Sequence, residues 1–457
     1  MHECSTSEIK TILQDQRNFF STGVTKSVPF RKMALQRLSD TIQRKESSIF
    51  QALKNDLNKS ETESRLTETS MVLQEIRFVL RHLSHWAKPH IHPTALSQMP
   101  GISFSFPEPY GSVLILSPWN YPFQLNLLPL VDALAAGNCA VLKPSEHAPH
   151  TAAVLAEIIR ECFPPKYVAV IPGGQETSEQ LLEQPFDFIF FTGGQQVGKI
   201  VMEKAAKHLT PVCLELGGKS PCIVDHTADI RLAAKRIAFG KILNAGQTCV
   251  APDYVLVHES VQRPFVAYLK YYFKKFLRNP KDYPKIATPA HFHRLVSWME
   301  NGHIAFGGAC NAETQQIAPT ILYPVELDSQ IMKEEIFGPI LPILSYQNLR
   351  EAVAFVEERP KPLALYLFSQ NRLNQACVLN RVSFGGGCIN DTILHLASPY
   401  LGFGGVGSSG MGSYHGKVGF DTFSHTKSIL KKSNRFDLPF RYPPYGKLKQ
   451  ALLRKIL

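Results

Sequence analysis

Apolar residues recur at helical spacing through the first 85 residues. "SEIKTILQDQRNFFSTG" stops at a glycine, "PFRKMALQRLSDTIQRKESSIFQALKNDL" opens on a proline, and "ESRLTETSMVLQEIRFVLRHLSHWA" keeps the same period, so this stretch reads as helices. The pattern breaks at "KPHIHPTALSQMPGISFSFPEPYG", which is too interrupted for a helix and suits a bent strand arm or an extended connector. From residue 112 the rhythm changes again. Short apolar runs, "SVLIL", "CAVLK", "YVAVIP" and "FDFIFFTGG", alternate with helical stretches such as "FQLNLLPLVDALAAG" and "HAPHTAAVLAEIIRECF". A second series starts near residue 221 with "PCIVD", continues through "DYVLV", "PILPIL", "LALYLF" and "GGGCIN", and places helices over 228–241 and 260–277. Strands that are apolar on both faces and separated by helices indicate parallel sheets with βαβ crossovers. The expected fold class is α/β, with two such units in tandem.

The length agrees, since 457 residues exceed what a single core normally supports. With 44% apolar and 19% charged residues the chain has an ordinary globular balance. "MHECSTSEIK" lacks the basic and apolar regions of a secretory leader, and no apolar run is long enough to predict a membrane span. The nine cysteines are odd in number and lack metal-ligand spacing, which predicts free thiols, no metal site and a cytoplasmic location. The net charge of +11 is uneven: between Lys427 and Leu457, nine Lys/Arg face one acid, Asp437. This tail reads either as a solvated C-terminus or, through "KLKQALLRKIL", as a basic helix in peripheral contact with a membrane. No recognised nucleic-acid-binding module accompanies the charge, so nucleic acid is not an expected partner.

Several short fragments at predicted strand ends carry candidate chemistry. Cys249 in "NAGQTCVAP" sits on a glycine-containing bend, where a thiol is reachable; a small hydrophobe filling a turn is the plainer alternative. "LSPWNYPFQ" sets Asn120 just after a strand, at the mouth of a parallel sheet, with an amide able to donate to an oxyanion. "LKPSEHAP" sets Lys143 and Glu146 where both reach ribose hydroxyls, or merely cap a helix. In "FFTGGQQVGKIV", Gly193, Gly194 and Gly198 leave room for backbone near a phosphate at a helix start. "LELGGKSP" offers Glu215 as a general base, and "KEEIFGPILPIL" offers Glu335 and Phe337 before another strand.

Taken in this order and spacing, the fragments closely resemble the aldehyde dehydrogenase superfamily, class 3 type, which includes fatty-aldehyde dehydrogenases. The late stretch "FGGVGSSGMGSYHGKVGFDTFSH" at 403–425 points most strongly to class 3, and the resemblance runs from about residue 7 to 445. It implies an aldehyde dehydrogenase-like fold. A dinucleotide-binding domain comes from 1–83 and 104–214, a catalytic domain from 215–405, an oligomerisation arm from 84–103 and 421–436, and a basic tail from 437–457. It further implies NAD(P)-dependent oxidation of small-molecule aldehydes to carboxylic acids by a homodimer. Cys249 would be the nucleophile, Asn120 the oxyanion donor and Glu215 the water-activating base. Glu335 would hold the nicotinamide ribose and Phe337 pack near that ring. Lys143 and Glu146 would contact the adenosine ribose, while Gly193 and Gly198 line the pyrophosphate turn. The carboxylate at Glu146 favours NAD, with NADP left open. Gly194 stands where many relatives carry Ser or Asn, which removes a polar contact but not the backbone donors. Tyr121, Phe239, Leu243, Thr392, His395 and Phe403 are the expected substrate-pocket residues. Phe239 stands where relatives commonly carry Trp, so a roomier apolar funnel for medium- or long-chain aliphatic and aromatic aldehydes is expected.

Overall fold

The computed structural model describes residues 4–277, 282–438 and 441–456; residues 439, 440 and 457 of the predicted basic tail lie outside the described residues. The stretch from Thr6 to Trp86 is helical, as the spacing predicts. Ser5 and Glu8 close a capping box on helix Thr6–Ser21. "PFRK…NDL" forms two helices rather than one, Val28–Arg44 and Glu46–Leu57, because Lys45 leaves helical geometry between them. Leu35, Leu38, Ile42, Ile49 and Leu53 face inward with no exposure and pack these helices against helices Ser70–Trp86, Gln124–Ala136 and Pro149–Cys162. Helix Glu61–Ser64 then widens into a π turn, Arg65–Thr69, before helix Ser70–Trp86.

The first sheet has six strands in the spatial order Gly410–Met411, Val212–Glu215, Phe188–Thr192, Ser112–Leu116, Cys139–Lys143, Val168–Val170. All pairings are parallel except that of Gly410–Met411. The chain builds outward from Ser112–Leu116 to one edge, then returns on its other side at Phe188–Thr192. Sheet order therefore reverses between these two strands, the place where open α/β sheets form a crevice for ligands. Gly410 lies beside Glu215 at φ +145°, and a Cβ there would run into the Leu214 carbonyl, so the late glycine-rich stretch covers this sheet edge only as glycine.

The second sheet has seven strands, ordered Gly302–Phe306, Thr320–Val325, Ile340–Tyr346, Tyr254–His258, Pro221–Val224, Ala364–Phe368, Gly386–Ile389, with only the first antiparallel. A separate antiparallel sheet joins His90–His92, Gly101–Pro109 and Ser424–Lys432. Its strands begin later and run further than the expected arm segment 84–103, because Trp86 is still helical and packs against Phe78 and Phe420. Among the described residues, no helix is long and apolar enough to cross a membrane, and no cluster of three metal-ligating side chains occurs.

Candidate active site

Helix Ile230–Ile242 ends in three successive left-handed residues, Asn244, Ala245 and Gly246, with φ of 49°, 52° and 73°. Such a run is costly for non-glycine residues and persists only where surrounding contacts fix it. A Cβ on Gly246 would overlap the Gly338 carbonyl. The reversal carries Cys249 to the floor of a cleft of about 970 Å³ that Trp119, Asn120, Glu215, Glu335 and Phe337 also line. Cys249 is half-buried, and burial together with the nearby Glu335 and Glu215 carboxyls pushes its thiol pKa up. The resting sulfur is therefore a thiol that needs a base to become a nucleophile.

Asn120 follows the strand at the reversal point and is 3% exposed. Its Nδ2 donates to the Gln247 carbonyl at 3.0 Å, two residues before the sulfur. The next residue, Tyr121, pairs its hydroxyl with Thr248 Oγ1 at 2.6 Å. The loop bearing the amide and the loop bearing the thiol are thus tied together directly. Glu215 ends the strand on the far side of the reversal, buried, with Oε2 lacking any hydrogen-bond partner among the described residues. Burial drives its pKa well above the usual carboxylate range. A buried polar atom without a partner is rare enough to want a reason, and a reacting water or proton supplies one.

Glu335 comes from the other sheet's side. Burial, and then the Asp253 charge, raise its pKa to about 8. Gly217 is required opposite it, since a Cβ there would collide with the Glu335 carboxyl. Lys219 braces this wall, pairing with Asp253 and donating to the carbonyls of Ile331 at 2.7 Å and Glu334 at 2.8 Å. Phe337, at φ +53°, meets Trp119 edge-on at 5.5 Å, and its carbonyl lies 2.7 Å from His291 Nε2.

The same cleft carries groups suited to a phosphate-bearing ligand. Helix Gln195–Ala206 starts at Gly194 with no side-chain cap, and Gly193 through Val197 line the cavity, so orphan N–H groups and the positive helix end are available to a phosphate. A Cβ on Gly193 would press within 2.5 Å of the Phe191 ring, whereas Gly194 has open space around it. Gly198 lies a turn deeper, against Leu216, and does not line the cleft. Lys143 and Glu146 stand at the end of the neighbouring strand, outside the lining, with Lys143 Nζ 3.4 Å from Glu146 Oε2.

The six expected substrate-pocket residues, Tyr121, Phe239, Leu243, Thr392, His395 and Phe403, are not among those lining this cleft. Thr392 Oγ1 donates to the Arg236 carbonyl at 2.8 Å. His395 lies 6.0 Å from both the Tyr366 and Phe403 rings, with burial lowering its pKa to about 4. Phe239 and Leu243 are half-buried on the core surface. Sequence reasoning missed Lys59, Glu63 and Glu68, which reach the two catalytic loops from the N-terminal helices, and Trp119, Lys219, His291 and Arg294, which line the cleft. Trp119 and Lys219 stand within motifs read for their neighbours; nothing in the local pattern marks the others.

The aldehyde dehydrogenase family model matches residues 1–429. The 4,4'-diaponeurosporen-aldehyde dehydrogenase of Staphylococcus aureus is 50% identical over 95% of this chain and 96% of its own. A dimeric NADP-preferring aldehyde dehydrogenase of Canis lupus familiaris is 44% identical over 96% and 98%. The substrate-bound state of Staphylococcus aureus AldH superposes with a TM-score of 0.95 at 48% identity, covering 98% of this chain and 99% of that one. With a cysteine, an amide and two carboxyls converging at the sheet reversal, and with these likenesses spanning nearly its whole length, the chain belongs to the aldehyde dehydrogenase family, in its class 3 branch.

Proposed function

We propose that this protein oxidises medium- or long-chain aliphatic or aromatic aldehydes to carboxylic acids, with NAD or NADP, through covalent capture on Cys249. The sulfur attacks the carbonyl carbon, its proton leaving to a base, and a tetrahedral thiohemiacetal forms. The Asn120 amide and the Cys249 backbone N–H hold the oxyanion, and one such donor contributes ~3–4 kcal/mol. NAD(P), when bound, supplies the hydride acceptor. Loss of hydride leaves a thioester on Cys249. Glu215 then takes a proton from water, which attacks the thioester and frees the acid and the thiol. Glu335 orients the dinucleotide ribose, Phe337 packs beside its ring, and the Gly193–Gly194 turn receives the phosphates; Lys143 and Glu146 serve the adenosine end.

The single observation that carries this reading is the convergence of Asn120, Glu215, Cys249 and Glu335 on one cleft. Its test is a panel of hexanal, decanal, benzaldehyde and acetaldehyde run with each dinucleotide, with and without phosphate or coenzyme A. Free acid as the product, with decanal or benzaldehyde preferred, is expected. A preference for acetaldehyde ends the substrate assignment, and acyl phosphate or acyl-CoA as the product ends the role of Glu215.

Among the described residues the strand Ser424–Lys432 pairs on one edge only, and free edges recruit partners, so we assign the three-stranded sheet to a homodimer contact. Sedimentation at a monomer mass would remove that assignment. Helix Lys447–Ile456 and its basic surroundings are assigned a peripheral membrane contact, tested by liposome co-sedimentation with and without residues 446–457.

A further inference from the structure

Neither Lys59 nor Glu68 has any exposed side-chain surface. Lys59 Nζ donates to Glu68 Oε1 at 2.6 Å and to the Asn120 carbonyl at 2.9 Å, and it lies 4.0 Å over the Tyr121 ring. The second carboxylate oxygen, Glu68 Oε2, accepts the backbone N–H groups of Phe123 at 3.2 Å and Gln124 at 2.8 Å. One ion pair thereby grips the loop that carries Asn120 at Asn120 itself and at its C-terminal end. Taking two charges out of water is costly, and an apolar pair of similar volume is often as stable or more so. Stability alone therefore does not account for the pair.

The same helical segment also reaches the nucleophile loop. Glu63 Oε1 accepts the Asn244 N–H at 2.7 Å, and Asn244 Nδ2 donates to the Asn120 carbonyl at 2.7 Å and to the Gln247 carbonyl at 3.1 Å. Glu63 precedes the π turn Arg65–Thr69 and Glu68 lies within it, where Ser70 N–H bonds back to the Arg65 carbonyl. The extra residue rotates the helix so that Glu68 and Thr69 both face inward, an irregularity that recurs at functional sites. The Asn120 carbonyl is held by two donors and one amide hydrogen is fixed on Gln247, which sets the direction of the second.

We propose that the Lys59–Glu68 pair is a positioning clamp, which holds the Asn120 amide in register with Cys249 so that it meets the oxyanion. The clamp rests on the reading of Asn120 as the oxyanion donor. It acts through Asn120 and does not touch substrate.

The test is the double variant Lys59→Met/Glu68→Gln, which removes both charges while leaving an acceptor for the Phe123 and Gln124 N–H groups. Thermal midpoint, dinucleotide KM and kcat are measured in the wild-type background and again with Asn120→Ala. In the wild-type background kcat is expected to fall about tenfold or more, with midpoint and dinucleotide KM little changed, since small misplacements cost catalysis before binding. With Asn120→Ala already present, the further loss should stay under about twofold, because groups acting as one unit are not additive. Wild-type kcat in the double variant, or equal losses in both backgrounds, overturns the clamp alone. Wild-type kcat in Asn120→Ala by itself overturns the oxyanion reading and the clamp with it. Should the double variant melt early, Glu68→Gln alone keeps Lys59 and the acceptor, and the same two-background comparison decides.

Discussion

On the nucleophile side of the cleft, Asn120, Asn244, Gln247 and Tyr121 are each hydrogen-bonded across two loops, and a buried ion pair grips the first of them. On the dinucleotide side, Gly194 faces open space, helix Gln195–Ala206 begins uncapped, and Glu146 remains partly exposed. The two sides meet the same cavity but are built to different tolerances. A covalent step needs reacting atoms fixed to within a fraction of an ångström. A ligand that enters and leaves each cycle is held by many small contacts, most of them from backbone. Substitutions should therefore be steep on the first side and shallow on the second.

The steepest expected effect is Cys249→Ala, which should cut kcat/KM for aldehyde by at least ~10⁴, read by the rate at which reduced dinucleotide appears. A loss under tenfold would mean that the locked side is not where the chemistry occurs. Glu215→Gln is expected to be next, at ~10²–10⁴ in steady-state turnover. Its first turnover should survive as a burst of reduced dinucleotide, with the acyl group retained on the protein in intact mass spectra. Absence of the burst would move Glu215 from thioester hydrolysis to the earlier, capture half of the reaction.

Much of this layout is legible in the chain because parallel strands are apolar on both faces and carry their site residues just past their ends. Asn120 and Gly193 sit just past such strands and Glu215 ends one, whereas Cys249 follows the left-handed turn after a helix and is marked by its glycine-containing bend instead. Lys59, Glu63 and Glu68 are not legible. Lys59 lies in the link between two helices and Glu63 and Glu68 on polar helical turns, where charges ordinarily face water, and the π turn that contains Glu68 breaks the register by which a helical face would be read. The arm shows a different limit. Pro107 and Pro109 argue against a continuing strand, yet both pair with the strand Ser424–Lys432. They are tolerated because His90–His92 covers only Ser103–Ser105, so the other edge is free where the prolines lack a donor. The resemblance puts Gly198 in the pyrophosphate turn, but it lies off the cleft lining, and the closeness of Leu216 explains that glycine equally well.

Glu335 lies where the two sides join, and its titration offers a milder probe. Its pKa of about 8 in the folded chain exceeds the ~4.3 of an unfolded glutamate. The folded state therefore binds more protons than the unfolded state between those values, and stability falls as pH rises through that window. Above pH ~8 both states are ionised and no further loss accrues from this group. Glu335→Gln has no such titration, so its melting temperature relative to wild type should climb between pH 5 and pH 8 and then level off. A constant difference across that range would mean that Glu335 is already ionised at pH 5, and that the wall braced by Lys219 is more polar than its burial implies.

The smallest expected effect tests the tolerant side directly. Gly194 has φ −74° and ψ 152°, ordinary cap geometry open to any residue, and nothing lies within 4 Å of a Cβ there. Gly194→Ser adds a hydroxyl that can accept an N–H at the start of helix Gln195–Ala206, worth only a few tenths of a kcal/mol over glycine (roughly 0.3). The melting temperature should rise by less than ~1 °C in a chain of this size. Dinucleotide KM should move less than about twofold, since most phosphate donors are backbone N–H groups that the serine leaves in place. A tenfold change in KM would mean that the phosphate site is held as tightly as the nucleophile, and the contrast between the two sides would then vanish.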